Sequence, residues 1–237
     1  MRNISAIIPA AGFGLRLKKK IPKALIELKG KPIFVHTLNN LTPHPDIKDI
    51  ILVVPPGYIK TFENKIRQYR LKKIKGIIGG GFTRRQSVEK GLSLLTPRTE
   101  WVLIHDAVRP FINQDIIWAC LNAAKKYGAA VVGVPLKATI KKVVRCPLSV
   151  VRSFIVGKTV DRNNLWEIQT PQVFKKDLIL KAYNKFKDEN FTDDASLVEK
   201  LGAKIKVVLG SYFNIKITTP EDLVLAEAIL GAQRRIR

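Results

Sequence analysis

Ile7–Leu25 reads IIPAAGFGLRLKKKIPKAL. An apolar start runs through Pro9 into Ala10, Ala11, Gly12 and Gly14, and then into the cations Arg16, Lys18, Lys19, Lys20 and Lys23. Small residues let backbone N–H groups approach a ligand. In an open α/β sheet, a loop of this kind at the carboxyl end of the first strand is where anions bind, because unpaired N–H dipoles converge there. Working outward, β-branched runs bounded by Gly, Pro or Asp recur at Ser5–Pro9, Ile50–Pro55, Ile74–Ile78, Trp101–His105 and Ala129–Pro135. They are expected to be buried parallel strands. Helical spacing lies between them, clearest for Ile116, Cys120, Ala123, Ala124 and Tyr127 after Asp115. Strands alternating with helices predict an α/β fold with a doubly wound, mostly parallel sheet.

The alternation stops in residues 137–157, which are β-branched, strongly basic and without a crossover helix. This stretch is expected to be an inserted, projecting β-arm. A lone ribbon cannot bury both of its faces, so pairing with a second copy through the arm, as a homodimer, is the expected arrangement. The core pattern resumes with helices near Lys176–Phe186 and Asp193–Leu201, a strand at Lys204–Leu209 and a helix after Pro220. One domain spanning residues 1–237 is expected, with no internal repeat or linker.

With 237 residues, 46% of them hydrophobic, the chain can bury a substantial core. No run approaches the roughly 18 apolar residues of a membrane span, and the start turns glycine-rich before a signal region develops. A soluble, cytoplasmic protein without a membrane partner is expected. Cys120 and Cys146 are the two cysteines, and they suggest neither a disulfide framework nor a metal cluster. Subtracting 19 Asp+Glu from 42 Lys+Arg leaves +23, which implies polyanionic partners or a solvated lysine-rich surface. Because this charge is scattered rather than interleaved with aromatics, nucleic acid is not an expected partner.

Two further clusters fall at strand ends. GGGFTRRQSVEKGL places Gly79–Gly81 after the third strand, with Arg84 and Ser87 at the start of a helix. In IHDAVRPF, Asp106 closes an apolar strand, where a carboxylate holds Mg²⁺ or a ribose hydroxyl beside phosphates, or else pairs with Arg109. Spacing excludes two familiar phosphate loops. Leu17 stands where a dinucleotide fingerprint needs its third glycine, and the second strand ends in Val53, Val54 and Pro55 instead of an acid. Gly30 and Lys31 are followed by Pro32, not by the Ser or Thr of an ATPase loop. His36, His44 and His105 carry no metal spacing, so zinc is not expected.

Together PAAGFGLRLKKKIPKAL, GGGFTRRQSV and HDAVRPF resemble the 2-C-methyl-D-erythritol 4-phosphate cytidylyltransferases of the non-mevalonate isoprenoid pathway. TVDRNNLWEIQTPQVF, FTDDASLVEKLG and NIKITTPEDL extend the resemblance in order to nearly the whole chain. It implies a Rossmann-like nucleotidyltransferase fold that moves CMP from CTP onto methylerythritol phosphate with Mg²⁺. By position, Pro9, Ala10, Ala11, Gly12 and Gly14 would wrap the CTP phosphates, with Arg16, Lys23 and Lys216 as the catalytic cations. Gly81, Arg84, Ser87 and Ala107 would lie about the nucleoside, and Asp106 at the ribose and metal. Thr139, Arg162, Thr170, Thr192 and Arg109 would surround the sugar phosphate, Thr139 and Arg162 from a partner's arm. Phe82 departs from the family's often polar residue at its position, and Arg85 adds a cation beside Arg84.

The expected chemistry is in-line attack by a phosphate oxygen on the α-phosphorus, with pyrophosphate leaving and no protein nucleophile. Three rivals stand beside it. A cytidylyltransferase for ribitol 5-phosphate or another polyol phosphate would share the nucleotide half. A non-catalytic basic nucleic-acid binder would account for the charge alone, and a dehydrogenase lacks its fingerprint.

Overall fold

A computed structural model describes residues 3–14, 17, 20–145, 153–187, 189 and 191–235. β1 (Ile4–Pro9) is followed by a 3-10 turn (Lys23–Leu25), the short hairpin β2 (Glu27–Leu28) and β3 (Lys31–Pro32), and α1 (Ile33–Leu41). Next come β4 (Ile47–Val54), α2 (Ile59–Gln68), β5 (Ile74–Gly79), α3 (Arg84–Ser93), β6 (Trp101–Ile104), α4 (Gln114–Tyr127) and β7 (Ala129–Pro135). β8 (Ile140–Arg145) and β9 (Phe154–Val160) precede β10 (Trp166–Lys175), α5 (Lys176–Lys185), α6 (Asp194–Lys200), β11 (Lys206–Leu209) and α7 (Pro220–Arg235).

Seven strands form the main sheet in the order β11-β7-β10-β6-β1-β4-β5. β1 pairs parallel with β4 and with β6, β4 with β5, and β11 with β7. Hydrophobic faces explain why helices cover both sides. Ile4, Ala6 and Ile8 point into one apolar cluster with Phe34, Leu38, Phe62 and Cys120, while Ile7 points into another with Val88, Ile179 and Val198. A strand with apolar side chains on both faces must be covered twice, and that is the doubly wound arrangement expected from sequence.

The structure departs from expectation in three places. β10 lies in the middle of the sheet, antiparallel to both β6 and β7, where no strand was expected. Its Gln169, Thr170, Pro171 and Gln172 interrupt any apolar run, yet all four are buried. β5 is a half-exposed edge strand instead of a buried one. Among the described residues the ribbon β8–β9 pairs only with itself, and its return strand reaches Val160. Cys146 and the tip of the arm lie outside the described residues.

Helix starts are set by local chemistry. Thr83 caps α3 in a reciprocal box with Gln86, and Asn113 caps α4 by accepting from Ile116 N. α4 stops at Gly128, whose φ of +86° suits a residue without Cβ. Because β1, β4, β5 and β6 run the same way, the loops after Pro9, Gly79 and Ile104 emerge along one edge of the sheet. No helix among the described residues is long and apolar enough to cross a membrane. Cys120 is buried, and burial pushes its thiol up to about 12, far from a reactive thiolate.

Candidate active site

The first loop is held to the sheet at its start and to the chain beyond it at its end. Ala10 N donates to Val53 O at 2.7 Å, and Gly14 N to Ile21 O at 3.1 Å. Lys23 N donates to Gly12 O at 3.0 Å, which folds the lysine back over the loop. A Cβ on Gly12 would stand 3.4 Å from Lys23 Cε. Between these anchors, the N–H groups of Ala11, Gly12 and Phe13 have no acceptor among the described residues. They form a short row of backbone donors beside an ammonium, the arrangement that binds phosphate.

Gly80 and Gly81 make the opposite wall because nothing larger fits. A Cβ on Gly80 would sit 2.6 Å from Ala11 Cβ and 2.8 Å from Ser87 Oγ. Ser87 Oγ accepts from Gly81 N at 3.2 Å and donates to Thr83 O at 3.0 Å, so its hydroxyl braces the loop. Arg84 leaves the first turn of α3 beside it.

Asp106 forms the floor. Its Oδ1 is 3.0 Å from Arg84 Nε, its Oδ2 is 2.7 Å from Lys216 Nζ, and Arg109 Nε approaches to 3.9 Å. Burial alone would raise this carboxyl, but the three cations, Arg84 foremost, hold it well below the usual carboxylate range. Arg84 also reaches Asp194 Oδ2 at 2.8 Å. Burial works against its charge, yet Asp194 and Asp106 outweigh that and raise it.

Behind the floor, Asp106 N donates to Thr170 Oγ1 at 3.1 Å, and Thr170 Oγ1 lies 3.0 Å from His105 Nδ1. Burial lowers His105 to about 4, so the ring is neutral, and its Nε2 lies 3.1 Å from Arg109 O. The consistent tautomer carries its proton on Nε2 and accepts from Thr170 at Nδ1. Asn214 ties the last segment in: its Nδ2 donates to Thr170 O at 2.9 Å and its carbonyl accepts from Arg109 Nη1 at 2.7 Å. Ile217 N then donates to Val108 O at 2.9 Å, which sets Lys216 against Asp106.

These walls enclose a cavity of about 210 Å³. Of the residues singled out in the sequence, Pro9, Ala10, Ala11, Gly12, Lys23, Gly81, Arg84, Ser87, Asp106 and Lys216 line it. Ala24, Thr83 and Val108 line it too and carried no sequence signal beyond lying next to residues that did. Phe82 stands fully exposed at the mouth, where the cavity adjoins a broader groove of about 960 Å³ along Phe13, Pro55 and Pro56.

Other expected residues lie elsewhere. Gly14 is buried in its turn, and the Ala107 carbonyl accepts from Thr37 Oγ1 at 2.8 Å. Arg109 and Thr170 sit behind the floor. Thr192 is exposed ahead of α6, and Thr139 and Arg162 are exposed at the base of the ribbon, where Arg162 bonds the Lys137 carbonyl. Arg16 lies outside the described residues. No group of three or more potential His, Cys, Asp or Glu ligands for a metal occurs among the described residues, and Asp106 is the sole carboxylate lining the cavity.

A model of the 2-C-methyl-D-erythritol 4-phosphate cytidylyltransferase family matches residues 4–232. The enzyme of that name from Syntrophus aciditrophicus is 43% identical over 231 residues, covering 96% of each chain. Its counterpart from Geobacillus kaustophilus is 42% identical over 233 residues, covering 98% of each. Among solved structures, 4-diphosphocytidyl-2C-methyl-D-erythritol synthase from Anaerococcus prevotii superposes with a TM-score of 0.82 at 34% identity, covering 97% of this chain and 96% of that one. The 2-C-methyl-D-erythritol 4-phosphate cytidylyltransferase from Thermus thermophilus gives 0.74 at 32% identity, covering 96% and 98%.

Proposed function

Because this chain belongs to the 2-C-methyl-D-erythritol 4-phosphate cytidylyltransferase family, we propose that its cradle binds CTP and that the cations around Asp106 drive the transfer. The chain is a nucleotidyltransferase. It moves CMP from CTP to 2-C-methyl-D-erythritol 4-phosphate, giving 4-diphosphocytidyl-2-C-methyl-D-erythritol and pyrophosphate in the non-mevalonate route to isoprenoid precursors. A row of N–H groups at Ala11, Gly12 and Phe13 with no acceptor among the described residues, with Lys23 and Lys216 lining the same small cavity, is the observation that carries the residue assignment.

In this reading the N–H row and Lys23 take the β- and γ-phosphates, and Gly81, Arg84 and Ser87 flank the nucleoside. A phosphate oxygen of the sugar attacks the α-phosphorus, forming one P–O bond as the bond to the pyrophosphate oxygen breaks. Two anions must meet and negative charge grows on the leaving group. Fixed cations that strengthen their hold in the transition state, Lys216 at the α-phosphate and Lys23 and Arg16 at the pyrophosphate, are therefore the effective catalysts.

Asp106, held well below the usual carboxylate range by the surrounding cations, opens on the cavity, which suits a Mg²⁺ ion held by one carboxylate and otherwise by substrate phosphates and water. Bound there, the ion would neutralise phosphate charge. Lys216, whose Nζ lies 2.7 Å from Asp106 Oδ2 and which lines the same cavity, would meet the α-phosphate there.

The substrate end is assigned to Thr192 and to Thr139 and Arg162 of a second copy, with Arg109 and Thr170 supporting it from behind Asp106. Phe154 and Val156 on one face of the ribbon and Ile155 on the other are 60%, 62% and 56% exposed, apolar surface that a homodimer would cover.

Pyrophosphate release with Mg²⁺ tests the assignment, comparing methylerythritol phosphate with ribitol phosphate and CTP with ATP, GTP and UTP. Turnover is expected with the methylerythritol phosphate and CTP pair, and equal or faster turnover with ribitol phosphate would overturn the substrate.

A further inference from the structure

Arg84 is spanned by two carboxylates that are themselves almost inaccessible. Its Nε meets Asp106 Oδ1 at 3.0 Å and its Nη2 meets Asp194 Oδ2 at 2.8 Å. Asp194 is only 1% exposed, and its other oxygen accepts from Tyr183 Oη at 2.6 Å. Capping of α6 would explain a carboxylate at this place, but that task falls to the neighbouring Asp193. Asp193 Oδ1 accepts from Ser196 N at 3.0 Å and its Oδ2 from Gln172 Nε2 at 2.6 Å. The rest of the α5–α6 packing is apolar, built from Ile179, Ala182, Leu197 and Val198. A carboxylate buried in such surroundings is costly unless a cation meets it, and Arg84 is the cation that does.

An arginine in the first turn of a helix ordinarily samples many rotamers. A planar guanidinium that donates from Nε to one carboxylate and ion-pairs through Nη2 with another on a separate element is confined to a narrow range of orientations instead. We propose that Asp194, braced by Tyr183, is the positioning residue that holds Arg84 at the nucleotide, so that CTP affinity depends on a carboxylate outside the cavity lining. The inference rests on the reading of this cavity as the CTP site.

The sign of the effect separates positioning from charge. Removing a negative charge near a polyanion site strengthens binding by simple electrostatics, whereas losing the grip on Arg84 weakens it. Calorimetric titration with CTP and Mg²⁺ reads this directly, alongside thermal unfolding of each variant. Asp194→Asn should raise the Kd for CTP about tenfold and Tyr183→Phe about threefold, as expected for lost preorganisation. In an Arg84→Ala background, Asp194→Asn should add less than about a twofold change, because residues acting through one another are not additive. An unchanged or lower Kd in Asp194→Asn, or the same weakening with and without Arg84, overturns the proposal. Should Asp194→Asn fail to fold, Tyr183→Phe, which loses only a hydroxyl, carries the same comparison in both backgrounds. Wild-type protein that binds no CTP would instead sink the reading of the cavity itself, a result distinct from wild-type binding that the variants leave untouched.

Discussion

Lys216 Nζ lies 2.7 Å from Asp106 Oδ2, joining the segment before α7 to the loop after β6 across the floor of the cavity. Arg84 and Arg109 approach the same carboxylate, so Asp106 keeps cationic company when Lys216 is removed. The lysine side chain is the most open of the three, at 37% exposure, and in the proposed mechanism it would exchange this partner for a phosphate.

Lys216→Ala is therefore expected to fold normally and to lower kcat at least about a hundredfold, the scale of losing a charge donor to the transition state. Stopped-flow pyrophosphate release at saturating CTP reads it. A kcat within about threefold of wild type would remove Lys216 from the mechanism.

Gly80→Ala drives a methyl group to within 2.6 Å of Ala11 Cβ, so the two cradle loops must separate. Overpacking of this kind costs about 1–3 kcal/mol. Both thermal stability and CTP affinity should fall together. A variant less stable but with unchanged CTP affinity would show that the cradle tolerates the displacement.

The proposed sharing of the substrate site between two subunits can be tested with mixtures. Lys23→Ala disables a subunit's own cradle, whereas Arg162→Ala should chiefly raise the KM for the sugar phosphate in the partner's site. Unfolding and refolding the two variants together at low methylerythritol phosphate should restore about a quarter of wild-type activity, since half of randomly paired dimers are mixed and each holds one intact site. No recovery means that Arg162 serves its own subunit or that the chain does not pair.

His44 is fully buried, accepts from Asp46 N at 3.2 Å and packs on Trp118 with ring centroids 4.4 Å apart. Burial lowers its pKa most, with Lys73 adding to the effect and Asp46 opposing it. The unfolded chain takes up that proton near pH 6.5 and the folded chain only at lower pH, so stability falls as pH drops below about 6.5. Urea unfolding of wild type and His44→Asn between about pH 7.5 and 5.5 should show a shallower decline in the variant. Parallel declines would assign the acid sensitivity elsewhere.

Much of the fold was legible because buried parallel strands carry apolar residues on both faces, as Ile50–Val54 does throughout and Ile4–Ile8 does apart from Ser5. β10 was not. A strand carrying Gln169, Thr170, Pro171 and Gln172 reads as a polar turn, and it is buried only because distant groups satisfy it. Gln169 Nε2 donates to Ser211 O at 3.0 Å, and Gln172 Oε1 accepts from Ala195 N at 3.1 Å. The site divided in the same way. Its small residues and lysines stand in contiguous motifs, whereas Tyr183 and Asp194 matter only through a pairing that no spacing in the chain announces.

By itself the sequence determined the alternation of strands and helices, the small-residue loop after β1 and the stock of cations. Local sterics and hydrophobic period decide these within a few residues of each position. Tertiary structure alone decided which cations share Asp106, that Thr170 holds its backbone N–H, and that Arg84 is gripped from α6. Those pairings join residues far apart in the chain, and burial made them necessary, because a desolvated charge or amide must find its partner wherever the fold brings one.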